Sequence, residues 1–347
     1  MSPNLHRVPD PKVGVEVDPL GAGLEAPPLG AGPEAGGDPS PGMPVNRSQR
    51  PLERGLAFPG TPGAIKPSGA SQSRYRRFLR LFLKNPAGLA GAILTAIMVL
   101  TVTLGPGLYG VDPFEIVSAP FMAPDSETPM GTDYVGRDIL AGVLSGGRAS
   151  LSVGLFAAML TAVIGLTIGS VAGYFGGFMD TFLMKVTEFF QVLPNLLFAM
   201  VLVTIFGPTL FMVTVSIGLA SWMNVARLTR AEFMRLKEMD FVRSAVTAGA
   251  TAPRLMLATI LPNALPPIIV AAAFDISFAI LLEGSLSFLG LGDPNRMSWG
   301  LIIGQNKNYV LDAWWTVVFP GAAIFLSVLG VCLTSDGLND ALNPRLE

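Results

Sequence analysis

The charged side chains that could handle a solute or an ion are few, and two of them stand inside an apolar run. Asp275 and Glu283 are the only charged residues in the stretch 264–291. An ionised acid at the centre of a membrane costs about 2.5–3.5 kcal/mol on insertion scales, so both carboxylates should face protein or water. Two interpretations stay open: the acids line a path across a membrane, or they serve helix packing.

The residue types that build enzyme active sites are scarce. The chain has one histidine, His6, and one cysteine, Cys332, so it has neither a multi-histidine metal site nor an internal disulfide. There is no Gly-x-Ser-x-Gly elbow and no His-Glu-x-x-His pair. No lysine follows a glycine, so the phosphate-cradling loop that ends in Gly-Lys-Ser/Thr is absent as well. We therefore expect no catalytic residue, metal or cofactor in this chain.

The elements that must position the charged residues are predicted to be membrane-spanning helices. Half of the 347 residues are hydrophobic and 14% are charged, against roughly 25% charged in a soluble domain. The mean hydropathy is +0.53, and the net charge of −2 does not favour nucleic acid as a partner. Apolar runs, with a turn at Gly207-Pro208, predict six spans, a count accurate to within one: 87–109, 150–174, 186–206, 209–226, 264–288 and 313–335.

The charges of the loops indicate how these spans are oriented. Basic residues precede the first span and crowd the loop 227–263, whereas the loop 112–147 is richer in acids. Because positively charged loops stay in the cytoplasm, the loop 227–263 and both termini should lie inside the cell and the loop 112–147 outside. Six spans agree with this orientation.

Two segments precede the first span. Residues 1–73 are dense in proline and glycine and lack a periodic apolar pattern, so we expect a disordered cytoplasmic tail. Residues 74–86 alternate arginine and lysine with leucine and phenylalanine, which predicts a basic helix at the membrane interface.

A stripe of glycines marks the second span. Gly165, Gly169, Gly173 and Gly177 recur at every fourth position, which places at least the first three on one helical face. In lipid, such a stripe lets another helix backbone approach closely. The approaching helix belongs either to this chain or to a second subunit, and the sequence does not decide which.

The stretch SAVTAGATAPRLMLATILPN, residues 244–263, lies in the basic loop and predicts a helix, a turn and a helix. Residues 243–248 suit a short helix, Gly249 suits the turn, and Pro253 suits the first turn of a second helix that runs to Pro262. Small side chains around Gly249 would form a knuckle of low relief, which could sit in a groove of another protein.

From about Arg74 onward the chain resembles the permease subunits of ATP-binding cassette importers, in the dipeptide and oligopeptide branch, and within that branch the subunit called the C-type permease. That family carries a cytoplasmic EAA loop with a glycine and a later Leu-Pro at fixed spacing. The matching positions here are Arg243-Ser244-Ala245, Gly249 and Leu261-Pro262. Arg243, Ser244 and Thr259 depart from the general pattern, which leaves the side-chain contacts of the loop open.

Other segments resemble the same branch in the same order, and the first seventy or so residues lie outside the resemblance. The matching segments are 130–138, 173–177 with Asp180, 226–230, 286–292, 298–300, 319–321 and 336–340. The resemblance implies the type I importer permease fold, all-helical with six spans and a cytoplasmic coupling loop.

The resemblance also implies roles for particular residues. Coupling to an ATPase would fall to Arg243, Ser244, Ala245, Gly249, Ala250, Arg254, Leu261 and Pro262. One set in the outer loop would receive a binding protein or gate the outer mouth, and the alternative is a plain solvated turn: Gly131, Asp133, Gly136, Arg137 and Asp138. Asp275 and Glu283 remain the candidates for the translocation path.

The implied partners are a second permease subunit, two cytoplasmic ATPases that bind ATP and Mg, an extracytoplasmic substrate-binding protein, and the lipid of the inner or plasma membrane. A heterodimer of permeases fits the branch, and a homodimer stays open. The expected cargo is peptide. Nickel, glutathione or an oligosaccharide are alternatives within the branch, and an ion-coupled secondary transporter is an alternative outside it.

Overall fold

The computed structural model describes residues 70–342, and the regular structure in this part is helical apart from two isolated β-bridges in the loop 110–138. The predicted tail 1–73 lies outside the described residues, except for 70–73, which belong to the first helix. The helices are α1 (Ala70–Lys84), α2 (Pro86–Tyr109), α3 (Ile139–Phe175), α4 (Gly177–Val192), α5 (Asn195–Phe206), α6 (Leu210–Ser221), α7 (Met223–Lys237), α8 (Asp240–Thr247), α9 (Ala252–Arg254), α10 (Leu261–Phe288), α11 (Trp299–Asn306) and α12 (Trp315–Leu342).

Four of the described helical segments are long and apolar enough to cross a membrane, and two bent pairs raise the number to six if each pair counts as one span. The four are Pro86–Tyr109, Ile139–Phe175, Ala252–Phe288 and Trp315–Leu342. The pairs are α4 with α5, bent by 87°, and α6 with α7, bent by 46°. Six apolar units therefore stand where the sequence predicts six spans.

The helices differ from the predicted spans in three places, one of which is the predicted span 209–226, made of the bent pair α6 and α7. The predicted span 186–206 is two helices, because Leu193 is extended (ψ 127°) before Pro194, and proline disfavours helical backbone in the residue that precedes it. The helix that carries the predicted span 150–174 begins earlier, at Ile139, where the Asp138 side chain caps its N-terminus.

The glycine stripe of α3 packs against α7 of the same chain. A Cβ on Gly165 would lie 2.6 Å from the Cβ of Val225, and one on Gly173 would lie 2.7 Å from the carbonyl oxygen of Arg230. At Gly169 a Cβ would overlap the carbonyl oxygen of Ala226. This chain itself therefore covers the first three glycines, whereas Gly177 begins α4 and has no heavy atom within 4 Å of an added Cβ.

An arginine of α3 donates to a backbone carbonyl of α2 that has no helical donor. Pro106 lies inside α2 and has no N–H, so the carbonyl of Val102, four residues earlier, lacks its helical donor. Arg148 fills the gap: its Nε donates to Val102 O at 2.8 Å and its Nη2 to Thr103 O at 2.5 Å. Because an unpaired carbonyl is costly in lipid, this contact ties α2 to α3.

We expect Gly169→Leu to lower the thermal stability of the purified chain, because the added side chain would force α7 away from α3. Overpacking of this kind costs about 1–3 kcal/mol. Gly107→Ala is the matched control, since a Cβ at Gly107 meets no atom within 4 Å. Thermal unfolding in detergent measures both variants, and equal midpoints would contradict the close contact.

Candidate functional site

The predicted helix-turn-helix around Gly249 is present, and Gly249 ends α8. Its φ of +83° is a conformation that L side chains rarely adopt. The N–H of Gly249 donates to Val246 O at 2.9 Å, and the N–H of Ala250 donates to Ala245 O at 3.1 Å. These two bonds form a Schellman motif, in which glycine is the usual residue past the helix end.

One side of this segment is anchored to the helical body. Ala245 and Ala250 pack against a buried apolar cluster that joins α7, α8 and α10 and includes Phe233, Val242 and Ile260. The cluster also receives partly buried side chains from α3 and from the segment itself: Leu166, Tyr174, Met256 and Leu261. The segment thus rests on α3, α7 and α10 rather than projecting as a free loop.

The other side of the segment faces away from the helical body. Val246 and Leu257 are 54% and 65% exposed, and no heavy atom lies within 4 Å of an added Cβ at Gly249. The coupling candidates Arg243, Ser244, Arg254 and Pro262 are exposed as well. Arg243 pairs with Glu238 at 3.1 Å, but both side chains are exposed, so this ion pair contributes little. We call this exposed surface of residues 241–257 the knuckle.

The second helix of the prediction does not end at Pro262. Helical structure runs from Ala252 to Phe288, with Pro253 in its first turn and a π-helical stretch at Leu255–Ile260. Pro262 follows the π-helical stretch closely, and a local π-helical adjustment of this kind accommodates a proline inside continuous helical structure. The knuckle is therefore joined directly to an apolar helix long enough to cross the membrane.

The N-terminal part of α10 has weakened hydrogen bonds. Pro266 and Pro267 lie inside the helix and have no N–H, so the carbonyls of Pro262 and Asn263 lack helical donors. A cavity of about 420 Å³ lies beside these prolines, between α7, α10 and α12. The helix that leaves the knuckle therefore has room to bend where its backbone is least constrained.

A charged pair that the sequence did not single out holds α7 in place. The guanidinium of Arg230 binds both carboxylate oxygens of Asp180 in α4, with Nη2 at 2.6 Å from Oδ2. Lys237 donates to the carbonyl of Tyr174 at 2.7 Å. The available signal was opposite charge at the ends of neighbouring apolar runs, which alone does not specify a partner.

The predicted outer-loop residues form a folded turn with Asp133 at its centre. The Asp133 carboxylate accepts hydrogen bonds from the N–H groups of Val135 at 2.8 Å and Arg137 at 2.9 Å, and the residue is 4% exposed. Gly131 and Gly136 have φ values of +74° and +93°. These residues build the turn, and a role in receiving a binding protein stays a prediction.

Asp138 and Arg137 differ in how many of their polar atoms are hydrogen-bonded. Asp138 is 3% exposed and accepts hydrogen bonds from the N–H groups of Leu140 (2.7 Å) and Ala141 (3.2 Å) and from the hydroxyl of Tyr109 (2.5 Å). The guanidinium of Arg137 lies 5.5 Å from the ring centre of Phe114. Arg137 Nε is buried without a hydrogen-bond partner among the described residues. Both oxygens of Asp138 therefore accept hydrogen bonds, whereas the Nε donor of Arg137 is unpaired.

The two acids of α10 also differ. Glu283 is 2% exposed, and its two oxygens each accept a hydrogen bond at 2.7 Å, one from Ser150 of α3 and one from Ser287. Asp275 is half-buried, and its Oδ2 has no hydrogen-bond partner among the described residues. Glu283 thus joins α10 to α3, whereas Asp275 has an enclosed oxygen without a hydrogen-bond donor.

Comparison with known proteins relates the sequence of this chain to membrane transport components. Residues 165–347 match the family described as binding-protein-dependent transport system inner membrane component. The chain is 39% identical over 270 residues to a Brucella abortus protein whose name assigns it to a peptide transport system as a permease, covering 77% of this chain and 91% of that protein.

Two further relatives have similar names. The di/tripeptide transport system permease protein DppC of Pseudomonas aeruginosa is 35% identical over 292 residues, covering 82% of this chain and 96% of the relative. The dipeptide transport system permease protein DppC of Haemophilus influenzae is 36% identical over 286 residues, covering 80% and 97%.

We expect Asp138→Ala to destabilise the purified chain, since it removes the cap of α3 and the partner of Tyr109. Loss of an N-cap costs about 0.5–2 kcal/mol. Asp138→Asn keeps a capping oxygen and should lose less. Thermal unfolding of the three proteins measures this order, and an alanine variant as stable as the native chain would contradict the capping role.

Proposed function

The chain belongs to the family of binding-protein-dependent transport system inner membrane components, and we propose that it forms half of the translocation path of a peptide importer. It is a membrane permease subunit, and the ATPase activity of such importers resides in partner subunits. The observation that carries the proposal is the knuckle: an exposed surface, anchored to the helical body, that continues without interruption into α10.

The proposed partner at the knuckle is one of two cytoplasmic ATPases, which bind ATP and Mg. This chain lacks the phosphate-binding loop that ends in Gly-Lys-Ser/Thr. Closure of the ATPases displaces the knuckle, and α10 and α7 carry the displacement into the membrane, so that the path switches its open side. The apolar cluster that ties Ala245 and Ala250 to α7 and α10 supports this transfer, because packed side chains move together.

A second permease subunit completes the path. The described helices leave large apolar side chains uncovered on the bent α4–α5 pair and on α10, including Phe178, Val192, Phe274 and Leu281. Lipid and a second permease share this surface, and the half-buried Asp275 stays the candidate for contact with the path. A heterodimer fits the dipeptide and oligopeptide branch.

Orientation follows from the positions of the two loops. Along the chain, helices α3 to α7 lie between the outer turn and the knuckle, and the basic residues concentrate near the knuckle. We place the knuckle and both termini in the cytoplasm and the turn 130–138 outside, where a substrate-binding protein delivers its ligand.

Peptide is the cargo that the relatives favour, since their names specify peptide, dipeptide or di/tripeptide transport. Nickel, glutathione or an oligosaccharide would be carried by the same machinery with another binding protein. An ion-coupled carrier is set aside, because the family draws its energy from partner ATPases.

We expect Gly249→Asp to leave membrane insertion intact and to abolish transport-coupled ATP hydrolysis. An unpaired charge buried at an interface costs about 2–5 kcal/mol, which weakens docking roughly thirtyfold or more. Gly207→Asp is the matched control, because Gly207 also has a positive φ (+93°) and open space around an added Cβ, but lies in the turn between α5 and α6. Hydrolysis by the purified complex at native rate in the Gly249 variant would refute the docking role.

Uptake of a labelled dipeptide should depend on this chain. A strain that lacks it should lose uptake, and the restored chain should recover it. An excess of unlabelled tripeptide should compete, whereas nickel or an oligosaccharide should not. Restored uptake of one of the other solutes, without peptide uptake, would replace the cargo but keep the permease assignment.

A further inference from the structure

A second cavity, of about 510 Å³, lies at the outer end of α3, between that helix, the start of the outer loop and the segment that precedes α11. Its lining includes two arginines, an acid, two serines and an aromatic ring: Arg148, Arg296, Asp112, Ser145, Ser152 and Phe114. Pockets of this size hold small organic molecules in other proteins. None of the sequence-predicted site residues lines it.

Arg148 is fixed in the wall of this cavity with donors to spare. Its Nε and Nη2 donate to the carbonyls of Val102 and Thr103, which holds the guanidinium in one orientation. A guanidinium has five N–H donors, so three remain. The ion pairs of the described residues include neither Arg148 nor Arg296.

The carboxylate that lines the cavity, Asp112, also has spare hydrogen-bonding capacity. Asp112 Oδ1 accepts a hydrogen bond from the N–H of Phe114 at 2.7 Å, and its other oxygen has no hydrogen-bond partner among the described residues. The cavity therefore presents unpaired charges of both signs beside the apolar side chains of Phe114 and Met297.

We infer that this cavity is an entry site for a short zwitterionic peptide. The carboxylate end binds Arg148 and Arg296, the ammonium end binds Asp112, and an apolar side chain lies against Phe114 and Met297. Guanidinium groups suit carboxylates because they offer parallel donors in a fixed plane. The choice of a peptide as ligand rests on the proposed function, and the charge pattern of the cavity restricts that ligand to molecules with both free ends.

Binding to the full chain in phosphatidylcholine nanodiscs tests the inference. Saturation-transfer NMR with alanyl-phenylalanine should give a saturable signal, and its amide and its N-acetyl form should bind about tenfold more weakly. Arg296→Gln and Asp112→Asn should each weaken binding about tenfold, and Arg296→Gln should no longer distinguish the acid from the amide. Asp112→Asn keeps the oxygen that accepts from Phe114, and Arg227→Gln, on α7 outside the cavity, is the control that should bind normally.

Three results would overturn the inference: no saturable binding to the native chain, equal binding of peptide and amide, or displacement of the peptide by added phosphatidylethanolamine, which would assign the cavity to a lipid headgroup. Uptake in cells separates this failure from that of the proposed function. If cells import the dipeptide through the complex but the chain does not bind it, only the entry site is wrong.

Discussion

The close contact between α3 and α7 at three glycines is the constraint on which the rest of the structure depends. Hydrophobic attraction does not join helices inside lipid, so they associate where backbones fit closely. Gly165, Gly169 and Gly173 provide that fit, and α7 lies directly against α3 as a result. The Arg230–Asp180 pair then fixes α7 against α4. The apolar cluster beneath the knuckle forms on this base, because its members come from α3, α7, α8 and α10.

Prolines interrupt the long helices, and each interruption is handled differently. At Pro106 a charged side chain from α3 supplies the missing donor, so the join between α2 and α3 is firm. At Pro194 the helix breaks and turns by 87°. At Pro266 and Pro267 the helix continues beside a cavity, so α10 transmits displacement and also has room to bend. The apolar cluster keeps the knuckle packed on the helical body, and the prolines allow α10 to bend. Together they suit a segment that moves while its packing stays intact.

The sequence predicted the features that depend on local chemistry. Apolar runs gave six units, glycine spacing gave the packing face of α3, and a glycine between two short helices gave the turn at Gly249, whose positive φ requires little side chain. The continuity of Ala252–Phe288 was not predictable, because a proline in a helix interior usually breaks the helix, and the π-helical stretch that accommodates Pro262 leaves no signal in the sequence. The partner of Glu283, Ser150, is 133 residues away in the sequence, so no local pattern could indicate it.

The two acids of α10 show how contacts decide between interpretations that the sequence leaves equal. Both cost free energy inside an apolar helix, and that cost is offset only by hydrogen bonds. Glu283 has a serine at each oxygen and is enclosed, so it stabilises the packing of α10 against α3 and leaves no acceptor for a solute. Asp275 lacks a partner at Oδ2 within the described chain, and a buried acceptor of this kind must find one. Oδ2 is enclosed by atoms of this chain, so an internal water or a movement of α10 would have to bring its donor, and a contact of Asp275 with the translocation path stays a prediction.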